Sequence, residues 1–155
     1  MSKFVLIDGH SILNRAFYGV PIFTNSEGLH TNAVFGFLNI MFKIIDSKQP
    51  DYMAVAFDVH QPTFRHEMFK DYKGTRKPMM EELREQVPVI KELLQKMNIT
   101  TVELPGYEAD DVIGTLSKKG EKAGMEVDVI SGDRDLLQLA SDHITICSLT
   151  FFSFW

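Results

Sequence analysis

The chain has a single cysteine, Cys147, among its 155 residues, so no internal disulfide can form and the composition suits a reducing compartment. No apolar run approaches the roughly 20 residues that span a bilayer. Signal-peptide architecture is missing too, since Met1-Ser2-Lys3-Phe4 leads straight into a short apolar stretch. A cytoplasmic chain with no membrane association is expected. There is no Walker A loop, no Gly-x-Gly-x-x-Gly and no Gly-x-Ser-x-Gly, which leaves nucleotide-driven work and acyl transfer unsupported. His10, His30, His60, His66 and His143 show no ligand spacing and receive no catalytic role. Positive charge is not in excess: the net charge of −5 argues against coating nucleic acid through bulk charge, while leaving room for a local basic patch.

What remains is ordinary globular composition, 45% hydrophobic and 24% charged, which predicts one ordered domain with a proper core. Residues 4–8 and 52–58 are continuous apolar runs that end in an acid, as strands buried on both faces do. Further strands are expected over 100–104, 127–131 and 144–146. A helix over 13–18 is expected with Ser11 as its cap, and another over 33–47 with Thr31 or Asn32 as its cap. The second is apolar nearly all round and should be deeply buried. Pro78 suits the start of a helix reaching about Met97, kinked at Pro88. Strands alternating with helices predict an α/β fold with a mainly parallel central sheet and helices on both faces. Such a sheet gathers the carboxyl ends of its strands along one rim, where ligands bind.

The acids follow that rim. Gly106-Tyr107-Glu108-Ala109-Asp110-Asp111 opens an amphipathic helix, with Ala109, Val112, Ile113 and Leu116 forming the apolar stripe and the three acids lying away from it. Asp8 and Asp58 end strands, and Asp133 and Asp135 follow one. Singly, each acid suits a turn, a cap or a first helical turn. Seven of them on one rim repel unless a cation intervenes. An all-oxygen ligand set points to Mg²⁺ or Mn²⁺, and the number of carboxylates points to two ions about 4 Å apart. Metal-dependent phosphodiester hydrolysis fits best.

Residues 63–77 have the opposite character. Arg65, Lys70, Lys73, Arg76 and Lys77 against Glu67 and Asp71 give this stretch a net +3, leaving −8 for the rest. Interleaved with Phe64, Phe69 and Tyr72, these cations suit single-stranded nucleic acid, charge for phosphates and rings for unstacked bases. Lys73 and Arg76 are the candidates to meet a substrate phosphate beside the acids, with Arg15 as a further one.

Leu6-Ile7-Asp8-Gly9-His10, Val55-Ala56-Phe57-Asp58, Phe64-Arg65 through Tyr72-Lys73-Gly74-Thr75-Arg76, Gly106 through Asp111 and Ser131-Gly132-Asp133-Arg134-Asp135 together resemble the 5′-nuclease family. That family includes flap endonucleases and the 5′→3′ exonuclease domain at the front of bacterial DNA polymerase I. The resemblance implies a three-layer PIN-like core over 1–146. It implies metal-site roles for Asp8, Asp58, Glu108, Asp110, Asp111, Asp133 and Asp135, and catalytic roles for Lys73 and Arg76. It further implies DNA contacts from Arg15, Phe64, Arg65, Lys70, Tyr72, Lys73 and Arg76, the segment 62–77 forming an arch over a 5′ single strand. The expected partner is DNA with a 5′ flap or nick, bound by a monomer that is normally fused to polymerase domains. Family members continue through a duplex-binding motif, so 147–155, uncharged and aromatic, is expected to be an atypical tail on a truncated and less active core. A catalytically inert DNA-binding fragment and a PIN-type ribonuclease are the alternative readings.

Overall fold

The computed structural model describes residues 1–59, 63–74 and 77–151. Strands β1 (Lys3–Asp8), β2 (Tyr52–Ala56), β3 (Thr100–Val102), β4 (Glu126–Ser131) and β5 (Ile144–Ser148) form one sheet in the order β3-β2-β1-β4-β5, every neighbouring pair parallel. Val5, Leu6 and Ile7 in the central strand are all fully buried, which is why this strand reads as a continuous apolar run.

Helices α1 (Gly9–Gly19), α2 (Asn32–Lys48), α4 (Glu81–Arg84) and α5 (Gln86–Lys96) contribute to the core on one face, where Ile12, Phe37, Ile40 and Ile90 meet Val5, Ile7, Val55 and Phe57. On the other face α6 (Ala109–Lys122) and a 3₁₀ turn (Arg134–Leu139) cover Leu6, Ala54, Ala56 and Val129. The short α3 (Phe64–Met68) lies between β2 and α4 in the chain. These are the three layers expected. Two glycines allow close approach. A Cβ on Gly9 would lie 2.5 Å from the Phe57 ring, and one on Gly36 would lie 2.7 Å from Ala16 Cβ, where α2 crosses α1.

Several local expectations are corrected. Asp8, not Ser11, caps α1 by accepting the Ser11 N–H, and the helix starts at Gly9. The α2 terminus is capped from a distance: Gln86 Oε1 accepts the N–H groups of Ala33 and Val34, while Thr31 makes no side-chain cap bond. α2 is also less buried than its composition suggests, with Phe35 41% and Phe42 47% exposed. The helix expected over 78–97 begins at Glu81 and breaks at Glu85, because Pro88 has no N–H to offer the carbonyl four residues back. Cys147 and Ser148 complete β5 and Leu149 is buried in the core, so the first residues expected in a tail belong to the fold. Residues 152–155 lie outside the described set. Among the described residues no helix is long and apolar enough to cross a membrane.

Candidate metal and nucleic-acid site

Four of the seven acids face one another at the carboxyl rim. Asp8 ends β1 and is 6% exposed. Its Oδ2 accepts from Ser131 Oγ at 2.7 Å, and its Oδ1 from the Ser11 N–H at 3.4 Å. Ser131 Oγ accepts in turn from the Asp133 N–H at 3.0 Å, so one hydroxyl joins the ends of β1 and β4. Asp58, just past β2, is exposed, and its Oδ1 accepts the Ala109 N–H at 2.7 Å, at the electropositive start of α6. Asp110 lies in the first turn of α6. Burial, together with the negative charges of Asp8, Asp133 and Asp58, pushes its carboxyl up to about 7. Asp8 is also pushed up, chiefly by burial, with the Ser131 bond opposing the rise.

The other acids are placed differently. Arg65 on α3 forks onto Asp111, with Nη1 2.8 Å from Oδ2 and Nη2 2.7 Å from Oδ1, and Nη1 also lies 2.9 Å from Glu108 Oε2. Lys73 Nζ pairs with Glu108 Oε1, and the Tyr72 hydroxyl lies 3.3 Å from both Glu108 oxygens. The Arg65 guanidinium, through this hydrogen bond, holds the Asp111 carboxyl below the usual carboxylate range, and Arg65 itself is pushed up. Asp135 is exposed, donates its N–H to Asp133 Oδ1 at 2.9 Å, and shares a hollow of about 170 Å³ with Arg65, Tyr72, Glu108, Asp110 and Asp111. The acids thus fall into two electrostatic states: a core of like charges (Asp8, Asp58, Asp110 and Asp133) and a flank, Glu108 and Asp111, already met by cations, with Asp135 exposed beside them.

The basic segment is seated on that flank. The Phe64 N–H donates to Gly106 O at 3.0 Å, and the Phe64 ring lies 5.6 Å from Tyr107 and 4.5 Å beneath the Arg65 guanidinium. Phe64 therefore packs within the protein. His66 Nδ1 accepts the Thr63 N–H at 3.0 Å and its ring stands edge-on to Tyr72. Lys73 adopts a left-handed φ of 57°. Lys70 is exposed on this segment, whereas Arg15 lines a separate hollow with Asn14, Tyr18 and Gly19. Arg76 lies outside the described residues.

Sequence reasoning overlooked Ser131. Ser131 carries a weak signal, a hydroxyl at the end of an apolar strand just before Gly132-Asp133. His10 Nε2 lies 3.4 Å from the Asp58 carbonyl oxygen and lines a cleft of about 680 Å³ with Asn14, Asp58, Lys77, Arg84 and Lys91. Its position comes from folding, since α1 carries it from Asp8 towards Asp58.

The donor chemistry fits a hard divalent cation: oxygen ligands only, and an Asp110 carboxyl pushed up to about 7 by burial and by its carboxylate neighbours. As the side chains stand, no three Asp, Glu, His or Cys groups among the described residues enclose a common point as ligands would.

The sequence profile of the 5′–3′ exonuclease N-terminal resolvase-like domain matches residues 3–153. The chain belongs to this family. It is 53% identical over 144 residues to DNA polymerase I of Bacillus caldotenax, covering 93% of this chain and 16% of that one. It is 41% identical over 146 residues to a 5′–3′ exonuclease of Aquifex aeolicus, covering 94% of this chain and 50% of that one. The chain thus spans between a sixth and a half of these relatives. Among solved structures, its fold matches the bacteriophage T5 5′-exonuclease with bound divalent metal ions (zinc) at a TM-score of 0.73 and 24% identity, over 96% of this chain and 56% of that one. The catalytic core of Rad2 in complex with a DNA substrate matches at 0.54 and 16% identity, over 98% and 45%. The family resemblance and the PIN-like α/β fold expected from the motifs both stand, and the family is one of nuclease hydrolases.

Proposed function

We propose that this chain is the metal-dependent core of a 5′→3′ exonuclease and flap endonuclease that hydrolyses DNA phosphodiesters, with Mg²⁺ or Mn²⁺ as cofactor. The observation that carries the reading is geometric: in a chain of the 5′–3′ exonuclease family, Asp8, Asp58 and Asp133 at the carboxyl ends of β1, β2 and β4 crowd Asp110 at the start of α6, and burial with this crowding pushes the Asp110 carboxyl up to about 7. A cluster that holds a proton so tightly is one that gains from a cation in its place. Asp8, Asp58, Asp110 and Asp133 would hold a first ion after side-chain rotation. Glu108, Asp111 and Asp135 would serve a second, through water or directly. When bound, such ions supply positive charge to the phosphate and acidify water at the site.

The rest falls to the chain's own groups. Lys73, Arg76 and Arg65 supply positive charge for the scissile phosphate as it gains negative charge. Tyr72 offers a ring to an unstacked base, with Lys70 and Arg15 beside the path of the backbone. Ser131 orients the Asp8 carboxylate from behind and holds the backbone of Asp133.

One observation favours the inert-fragment reading: Glu108 and Asp111 are already engaged by Arg65 and Lys73, which must give way before either acid serves an ion. Activity of the isolated chain should therefore be low but not zero. Labelled 5′-flap DNA and single-stranded RNA of the same sequence, incubated with Mn²⁺, separate the readings. The 5′-nuclease reading requires flap cleavage that is lost in Asp110→Asn. RNA cleavage alone would support the PIN-type ribonuclease instead, and binding without any cleavage the inert fragment.

A further inference from the structure

Away from the acids, two side-chain amides, Asn32 and Gln86, are fully buried. Gln86 Nε2 donates to Asn32 Oδ1 at 3.0 Å and to Glu82 O at 2.8 Å. Gln86 Oε1 accepts from Ala33 N–H at 2.8 Å and Val34 N–H at 3.1 Å. Asn32 Nδ2 donates to Phe17 O at 3.0 Å and Val20 O at 3.1 Å. The pair therefore ties the C-terminal end of α1, the N-terminal end of α2 and the carbonyl of Glu82 on α4. Glu85, at the break between α4 and α5, adds a clamp: its Oε1 accepts the His30 N–H at 2.9 Å and lies 2.5 Å from His30 Nδ1. Buried amides are a poor choice for stability alone, because unmet donors there are costly. Fully met, they select one geometry.

Two of the elements joined here, α1 and α4, line the 680 Å³ cleft, together with α5. His10 and Asn14 of α1 line it, as do Leu83, Arg84, Val87 and Lys91 of α4 and α5, and Asp58. We propose that Asn32 and Gln86 are positioning residues that fix the width of this cleft, and with it the placement of Lys77, Arg84 and Lys91 beside Asp58 for a phosphodiester strand. The proposal rests on the nuclease reading for its ligand, but not for its geometry.

Gln86→Glu and Asn32→Asp test it. In Gln86→Glu the carboxylate still accepts from Ala33 and Val34, where the start of α2 favours negative charge, but the donors to Asn32 and Glu82 are gone. In Asn32→Asp the acceptor for Gln86 remains and the donors to Phe17 and Val20 are gone. Spin labels at Tyr18 and Glu81, both exposed and with Cys147 replaced by Ser, report the α1–α4 distance by pulsed electron resonance. The expected result is one narrow distance distribution in the parent, shifted or broadened in either variant that keeps a cooperative melt. With a labelled single-stranded deoxyoligonucleotide and Mn²⁺, KM should rise about tenfold while kcat changes less than about twofold, because contacts to non-reacting phosphates contribute uniform binding. A parent-like distribution in both variants would overturn the proposal, as would a fall in kcat at unchanged KM. A parent that cleaves no DNA would remove the nuclease reading, and the distance distributions would still decide the positioning role.

Discussion

Ser131 Oγ donates to Asp8 Oδ2 at 2.7 Å and accepts the Asp133 N–H at 3.0 Å, so a single buried hydroxyl ties the Asp8 carboxylate to the backbone of Asp133 across the β1–β4 seam. Open parallel sheets bind ligands outside the carboxyl ends of such strands. Ser131→Ala leaves Asp8 buried without this donor. It should cost about 1–3 kcal/mol in denaturant unfolding. Removing an outer-shell partner of this kind should also weaken Mn²⁺ binding by about 10-fold or more. Calorimetry on the folded variant checks the second effect separately from the first.

Arg65 is expected to hold α3 down on α6. Arg65→Met leaves Glu108 and Asp111, whose side chains are 12% and 23% exposed, without their fork. A loss of about 2 kcal/mol is expected from charge-assisted bonds of this exposure. Limited proteolysis within residues 63–74 should speed up. The pH dependence has a fixed sign. The folded-state pKa of Asp111 is lowered, so this stabilisation is present above the ordinary carboxylate range and is lost as pH falls through the folded value. Parent and variant melting temperatures should therefore converge in acid.

Asp110 has the opposite sign. Its folded-state pKa is raised from 3.8 to about 7, so the folded chain holds a proton that the unfolded chain has released. Metal-free stability should fall as pH rises across that window, by up to about 1.4 kcal/mol per pH unit. Thermal melts from pH 4 to 8 measure this. Mn²⁺ should raise the melting temperature more at pH 8 than at pH 5, and Asp110→Asn should flatten both dependences.

Much of this was legible in the chain. Strands buried on both faces read as plain apolar runs, and the acids at their ends predict a shared rim once the sheet is parallel. What escaped depends on residues far apart in sequence. Gln86 caps α2 from 53 residues away, and Arg65 meets Asp111 across 46. Local pattern reasoning assigns those roles to Thr31 and to DNA. The split among the acids was equally hidden, because it depends on which carboxylates lie beneath α3. Phe35 and Phe42 remain exposed on α2, which composition alone could not distinguish from core.

Leu149 is the last core residue among those described. It is 3% exposed and packs with the α1–α2 side of the sheet. Leu149→Ala should cost about 2–4 kcal/mol through the cavity it leaves. A chain shortened to end at Ile146 loses this residue and the last two residues of β5, and should unfold at lower denaturant than one ending at Phe151.

Binding of Mn²⁺ followed by isothermal titration calorimetry at pH 8 tests the central claim, that the rim acids form a divalent-cation centre. The account predicts saturable binding that is lost in Asp110→Asn and kept in Glu126→Gln, an acid at the opposite end of β4. Absence of saturable binding in the folded parent, or equal binding in Asp110→Asn, would contradict it.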